Sequence, residues 1–239
     1  MRRAIKSKDE LIKEIKHIKS TIRMANDYLE VWRSIKRATK EDGFEKEINI
    51  APGFFNITTN ALISSLFIEI SKLFDKSGNK ACSIPQLLNS CAQSLPSMQF
   101  EAETYLTKDY MGQQSHRVFR TGEQIKEKFQ EDIKLWKEEK KSLDSVIENI
   151  RTQRHGYYAH IDRCYMESVE LLMKEAPISF SDIEKIVKYA NKVYSGIEVY
   201  LTKSQTMLCA WNSGDLSRLL SKMHDDSELL ETQTRETTP

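Results

Sequence analysis

Runs of apolar residues at spacings of three and four constrain this chain more than any other feature of its sequence. Three such runs each follow a Ser or Thr that has Glu or Gln three residues later, the pattern of a helix N-terminal capping box. These pairs are Ser7–Glu10, Thr121–Gln124 and Ser181–Glu184. The runs themselves are Leu11, Ile15, Ile18, Ile22, Leu29 and Trp32; Ile125, Phe129, Ile133, Trp136, Leu143, Ile147 and Ile150; and Ile183, Ile186, Ala190, Tyr194, Ile197 and Leu201. The sequence therefore predicts an all-α fold, a bundle of long antiparallel helices.

Shorter elements connect these helices. Residues 54–74 predict a helix whose apolar residues fall on more than one face, as in a central element covered on several sides. Ser83 and Gln86 repeat the capping pattern, with Pro85 in the first turn, and predict a short helix to about Ser94. Residues 96–120 show no clean period.

The composition favours one helical domain over residues 1–224. The 239 residues include only 8 Gly and 5 Pro, and neither a repeat nor a linker interrupts them. Leu216–Met223 is a brief amphipathic piece, whereas residues 225–239 are polar and predict a disordered C-terminal tail.

Charge and cysteine usage limit the compartment and the partners. The formal net charge is +1, so any RNA site must be local. The four cysteines lack paired spacing, as expected of reduced thiols in a cytoplasmic protein. The start of the chain lacks a signal-peptide core, and Ala61–Phe74 is too short and too polar to span a bilayer. These features predict no membrane association.

One segment, residues 151–162, combines cations, imidazoles and a carboxylate. Arg154, His155 and His160 form an Arg–polar–x4–His pattern. The pattern is weak by itself, since a chain of this composition yields roughly one match by chance. Arg218 and His224 form a second match, but a Leu follows that arginine and the match adjoins the predicted tail.

The position of Arg154 on its helix distinguishes the first match. The stripe of the helix that starts at Thr121 continues to Arg154 and Tyr157, so the guanidinium is expected on the buried or partner-facing side. A charge there requires a partner or an anion. His160 lies about 240° around an ideal helix and roughly 9 Å along it. Both residues reach one phosphate only if the helix breaks, for which Gly156 is suitable, or if a second subunit contributes.

Three blocks of the sequence resemble the abortive-infection U-type branch of the HEPN proteins. Ala51–Phe55 and Ile70–Asp75 resemble that family's first core block, and Arg154–Asp162 resembles its Arg-Asn-Lys…Ala-His-x-Asp block. The resemblance covers roughly residues 10–205 and departs at His155 and Gly156, where the family more often has Asn and Lys.

The resemblance implies a HEPN-like helical bundle that cleaves RNA without metal or cofactor, at a site assembled between two subunits. His160 would then move protons at the ribose 2′-OH and the leaving oxygen, and Arg154 would stabilise charge on the phosphate. Tyr157 or Tyr158 would stack a base, and Asp162 would orient an imidazole, with His155 as the polar residue after Arg154. The implied partners are a second copy of the chain, an RNA substrate, and an antitoxin or sensor protein.

The same residues allow other interpretations. Arg154 and His160 are also typical of helix C-terminal caps, and Asp162 is typical of an N-cap. Tyr157 and Tyr158 suit packing as well as stacking. His155, His160, Asp162 and Cys164 do not match a standard zinc spacing. The alternative function is a catalytically inactive HEPN module that dimerises or binds a partner protein or RNA.

The amount of apolar helix surface predicts a homodimer. The seam from Leu11 to Trp32 and the stripe from Leu143 to Tyr157 offer more apolar face than a small monomer usually needs.

Overall fold

A computed structural model describes residues 5–75, 82–108, 115–159, 169–210 and 214–236. The helices are α1 (Lys8–Lys40), α2 (Glu45–Ile50), α3 (Pro52–Leu73), α4 (Ile84–Ser94), α5 (Gly122–Gln153), α6 (Val169–Glu175), α7 (Phe180–Thr202) and α8 (Asp215–Glu236). A 3₁₀ turn spans Leu95–Ser97 and a π-helical segment spans Arg154–Ala159. The strands are β1 (Glu103–Lys108) and β2 (Ser115–Arg120). The all-α prediction is confirmed, with one small hairpin added.

The helix starts at Ser7 and Thr121 are confirmed in detail. Each hydroxyl accepts a hydrogen bond from the backbone N–H three residues later, and the side chain of that later residue accepts one from the cap N–H. The apolar stripes that follow these caps line one core. From α1 it includes Leu11, Ile15, Ile18, Ile22 and Leu29; from α5 it includes Phe129, Ile133, Trp136, Ile147 and Ile150.

The start of α7 differs from the prediction by two residues. The capping box is Ser179 with Asp182, not Ser181 with Glu184. An Asp at the third helical position closes the box as a Glu does, and the earlier start places Phe180 edge-on to Trp32, with ring centroids 4.7 Å apart. Glu184 instead pairs with Arg33 from α1 at 2.9 Å.

The capping prediction at Ser83 is wrong in its chemistry. The helix α4 does begin there, but the Ser83 side chain makes no cap hydrogen bond. Its hydroxyl donates to the carbonyl of Asp75, 2.9 Å away, and so links the start of α4 to the end of α3. A tertiary acceptor therefore replaces the local one.

The helix α3 is buried more fully in its C-terminal half than in its N-terminal half. Leu66 and Ile70 are fully buried, but Phe54 and Ile57 are 64% and 72% exposed. The expectation of a central helix covered on several sides is therefore wrong for its N-terminal half. In that half Phe55, 8% exposed, packs with Ile35 and Ile48, so the half is covered at Phe55 and open at Phe54 and Ile57.

Among the described helices, α3 alone is long and apolar enough to cross a bilayer by length and composition. A mostly buried core helix can pass the same test; in α3, 28% of the most apolar window is buried. Its packing against α1 is consistent with a soluble chain. The cytoplasmic location and the lack of membrane association stay predictions.

Residues 96–120, which lack a period, contain an antiparallel hairpin. The register pairs Glu103 with Arg120 and Lys108 with Ser115. Each strand has six residues, which is too few for an alternation of apolar and polar side chains to be recognised in a charged sequence. The sequence therefore does not predict the hairpin.

The apolar seams that predict a homodimer are used within one chain. The residues from Leu11 to Leu29 and from Ile147 to Ile150 lie in the core of the single subunit. These described residues pack within the subunit, so by themselves they do not support a dimer. The homodimer itself stays a prediction.

The helix α8 continues to Glu236, past Asp225, where the sequence predicts a frayed tail. Leu220 of this helix is fully buried against Ile35 and Ile48, in a second small core. The polar residues up to Glu236 are therefore helical here, and the disordered tail over residues 225–239 stays a prediction. The single-domain assignment of residues 1–224 stays a prediction.

Candidate functional site

The end of α5 is fixed to neighbouring loops by polar side chains. The Nε2 of Gln153, itself only 2% exposed, donates to the carbonyl of Ala176 at 2.6 Å. One turn earlier, the Nδ2 of Asn149 donates to the carbonyl of Pro177 at 2.8 Å. Both acceptors lie in the connection between α6 and α7. These bonds hold the segment that follows α5 in a defined position.

Arg151 has a structural role at this end of the helix. Its Nη2 donates to the carbonyl of Phe74, at the end of α3, and its Nη1 pairs with Glu148 at 3.2 Å. Its side chain is 15% exposed. A guanidinium so placed supplies the carbonyl that ends α3 with a charged donor.

Arg154 lies in a different environment from Arg151. The residue is half-buried and its Nε is buried, yet among the described residues this atom has no hydrogen-bond partner. The described part of the chain also supplies no ion pair to it. A buried donor on a cation without an acceptor is unfavourable unless an anion or a polar ligand supplies one. The expectation that Arg154 requires a partner therefore applies specifically to its Nε–H group.

The backbone of this segment widens at Arg154. The chain continues as a π-helix over Arg154–Ala159, in which hydrogen bonds close over five residues instead of four. Gly156 is buried within it, and the segment packs against α3. Of the two possibilities left open by the sequence, a helix break and a second subunit, the described segment does not show a break at Gly156 but a change of winding. Such π turns are rare and often accompany functional sites.

The structure describes part of the predicted site. His155 is exposed, and Arg154 is half-buried beside it. The backbones of Tyr157 and Tyr158 belong to the π-helical segment, but their side chains lie outside the described residues, as do His160, Asp162 and Cys164. The pairing of Arg154 with His160 stays a prediction. Because the winding changes at Arg154, the 240° of an ideal α-helix is not the right angle for this stretch.

The second Arg–His match is engaged within the fold. Arg218 forms an ion pair with Asp215 at the start of α8. The Nδ1 of His224 lies 2.8 Å from a carboxylate oxygen of Glu47, a residue of α2 that is 3% exposed. This hydrogen bond holds the pKa of Glu47 below its ordinary value. His224 thus connects α8 to α2, whereas the Arg218 pair lies within the first turn of α8.

Residues with metal-ligand chemistry are dispersed in the described part of the chain. It holds no group of three or more His, Cys, Asp or Glu residues placed to bind a metal ion. Its three cysteines, Cys82, Cys91 and Cys209, are free thiols.

Sequence reasoning missed two features of α5 and α3, the helices that pack near this segment. Gln153 lies next to the motif but carries no signal of its role as an anchor, because its acceptor is distant in sequence. Ser71 interrupts the apolar pattern of α3, and its Oγ is a buried hydroxyl with no partner in the described residues. A serine within an apolar run was the available signal for the second feature.

Comparison with known proteins gives one match. The family model HEPN_AbiU2, described as AbiU2, matches residues 8–230, which include every helix from α1 to α7 and most of α8. No curated protein and no solved structure matches the chain significantly.

Proposed function

This chain belongs to the AbiU2 family of HEPN proteins, and from that premise we propose that it is a metal-independent endoribonuclease of antiphage defence by abortive infection, or a toxin. The observation that carries the proposal is Arg154. Its buried Nε lacks a partner in the described chain, in the stretch that resembles the family's Arg…His block. A phosphate oxygen is the acceptor that this chemistry favours, because guanidinium groups bind phosphate through charge-assisted hydrogen bonds.

In the proposed reaction the ribose 2′-oxygen attacks the adjacent phosphorus. The bond to the 5′-oxygen of the next nucleotide breaks, which leaves a 2′,3′-cyclic phosphate and a 5′-hydroxyl. His160 accepts the 2′-OH proton and, as the imidazolium, donates it to the leaving 5′-oxygen. Arg154 stabilises the negative charge that grows on the non-bridging oxygens in the transition state.

The supporting roles follow from position. His155 is exposed beside Arg154 and is available to contact the RNA backbone. Tyr157 and Tyr158 stack a base, and Asp162 orients an imidazole. Two copies of the chain form the site if Arg154 of one subunit acts with His160 of the other.

A second function is favoured by a different surface. Ile50, Phe54 and Ile57, at the end of α2 and the start of α3, are 65%, 64% and 72% exposed. Exposed large apolar side chains this close together are typical of protein contact sites. They favour the alternative, a catalytically inactive HEPN module that dimerises or holds an antitoxin or sensor protein.

The two functions are separated by incubating the purified chain with cellular RNA in excess EDTA. The nuclease proposal expects cleavage that EDTA does not prevent, with 2′,3′-cyclic phosphate and 5′-hydroxyl ends on the products. Expression of the same chain is expected to slow growth of the host. Intact RNA from a folded, pure protein, with normal host growth, supports the inactive module. Activity that EDTA removes and a divalent metal restores contradicts the metal-free mechanism.

A further inference from the structure

A cavity lies between the C-terminal end of α4 and one face of α5, far along that helix from Arg154. Its volume is about 480 Å³, within the usual range of small-molecule sites of roughly 300–1,000 Å³. Its apolar wall is formed by Ala92, Leu95 and Ile133. Leu95 and Ile133 belong to the main core and are 3% and 2% exposed, so the wall is rigid.

The polar side of the cavity carries positive charge alone. Lys126, Lys134 and Lys137 line it, and no Asp or Glu is among its described lining residues. The three lysines lie on one face of α5, and the first and last are separated by about 16 Å along the helix. The Nζ of Lys126 donates to the carbonyl of Pro96 at 3.0 Å, and this contact closes one end of the cavity.

These lysines differ from their neighbours on the same helix. Lys128 pairs with Asp132 at 3.0 Å, and Lys141 pairs with Glu138 at 2.8 Å. In the described part of the chain, Lys134 and Lys137 form neither an ion pair nor a hydrogen bond. On both sides of the cavity, the lysines of α5 are thus neutralised by neighbouring carboxylates, whereas the lysines within the cavity are not.

Lys137 is the most constrained of the three. It is half-buried, and burial lowers the pKa of its ammonium group. Among the residues that the structure describes, no carboxylate is close enough to raise that pKa. An anion bound in the cavity would stabilise the charged ammonium group in place of the water that burial excludes.

We propose that this cavity binds an organic polyphosphate of the nucleoside di- or triphosphate class. Three cations without a carboxylate match a ligand with several negative charges better than a monocarboxylate. The apolar wall requires that the ligand also have a flat or apolar body, which a nucleobase supplies. Gln130, exposed between Lys126 and Lys134 on the same face, offers an amide donor and acceptor to the edge of a base.

The test is calorimetric titration of the full chain with ATP, inorganic triphosphate and adenosine, each in EDTA. ATP is expected to bind saturably and more tightly than either fragment. Lys134→Gln and Lys137→Gln are each expected to weaken ATP binding about tenfold or more, the loss expected for one charge-assisted contact. Lys141→Gln, a paired lysine outside the cavity on the same helix, is the matched control and is expected to leave the affinity unchanged.

Three results would overturn the proposal. The first is no saturable binding of ATP at millimolar concentration by wild type. The second is equal weakening by Lys141→Gln, which would indicate non-specific attraction to a basic surface. The third is binding of a short RNA that depends on Lys134 and Lys137 while ATP does not bind, because the lysines would then form an RNA contact. Thermal melting of each variant checks that it is folded. If Lys137→Gln unfolds, Lys134→Gln still tests the proposal, because Lys134 is exposed and its replacement is not expected to affect the fold. The readout is binding, so it does not depend on the proposed cleavage activity.

Discussion

Arg154 with His160 and Arg218 with His224 have the same spacing in sequence but different surroundings. In the second stretch both side chains are engaged: Arg218 pairs with Asp215 and His224 contacts the buried Glu47. In the first, the buried Nε of Arg154 has no acceptor within the described chain. Spacing therefore does not separate the two stretches, and the difference between them lies in the partners that each side chain has among the described residues.

The variant with the largest expected effect tests directly whether the two Arg–His stretches differ in function. Arg154→Ala and His160→Ala are each expected to lower RNA cleavage about a hundredfold or more, because they remove charge stabilisation and proton transfer respectively. Arg218→Ala and His224→Ala are expected to leave cleavage unchanged per folded molecule. The measurement is the initial rate of cleavage in EDTA. Equal losses from both pairs would mean that the unpaired guanidinium is not a functional signal.

Subunit mixing shows whether the first stretch works across a dimer. If each site takes Arg154 from one chain and His160 from the other, a heterodimer of the two Ala variants keeps one intact site. Random exchange is then expected to restore roughly a quarter of the wild-type activity, since half the dimers are mixed and each has one of two sites. Differently tagged chains show that heterodimers form. Confirmed heterodimers without activity, beside an active wild type, contradict the shared site.

A second comparison is between Arg151 and Arg154, which lie one helical turn apart. Arg151→Ala is expected to lower the free energy of unfolding by about 1–3 kcal/mol, because the carbonyl of Phe74 loses a charged donor. The melting temperature should fall by several degrees, at about 2–4 °C per kcal/mol. Arg154→Ala loses no such contact and is expected to melt within about one degree of wild type. Calorimetry of both variants measures the difference, and equal destabilisation would show that Arg154 also supports the fold.

The smallest expected effect tests the structural role of His224. Because the His224 hydrogen bond lowers the pKa of Glu47, it contributes stability above the ordinary carboxyl pKa of 4.5, and this is lost as pH falls through the folded value. His224→Ala is expected to be less stable than wild type at neutral pH, with the difference narrowing toward about pH 4. Urea unfolding at the two pH values measures it. A difference that widens on acidification contradicts the assigned pair.

The sequence predicts those parts of the fold that depend on local signals. Helix starts at Ser7 and Thr121 need only four residues each, and the stripe on α5 from Ile125 to Ile150 needs only helical periodicity. Features that depend on distant partners are not predictable in this way. Ser83 donates to Asp75 instead of capping α4, and Phe54 and Ile57 in the N-terminal half of α3 are exposed although their apolar side chains suggest burial.

In the candidate site, too, the features set by local signals were predicted and those set by distant partners were not. The apolar stripe on α5 correctly indicates that Arg154 is partly buried. This could be predicted because the side of the helix on which Arg154 lies is set by residues of the same helix. The anchors Gln153 and Asn149 bind carbonyls more than twenty residues away, and no local pattern reports them. The winding changes to π-helical after Gln153, where the segment packs against α3 and Gly156 is buried. Extrapolating α-helical periodicity past that point therefore gives the wrong angle.

The capping boxes also determine which parts of this chain tolerate changes of length. In each box both hydrogen bonds close within four residues, so the helix start is specified without reference to the connection before it. An insertion in the connection between β1 and β2, upstream of Thr121, would therefore leave the register of α5, and with it the position of Arg154, unaltered. The same holds for the connection before Ser179 and the register of α7. In descendants of this sequence, length variation is expected to accumulate in the connections that precede capped helices, while the helices themselves keep constant length.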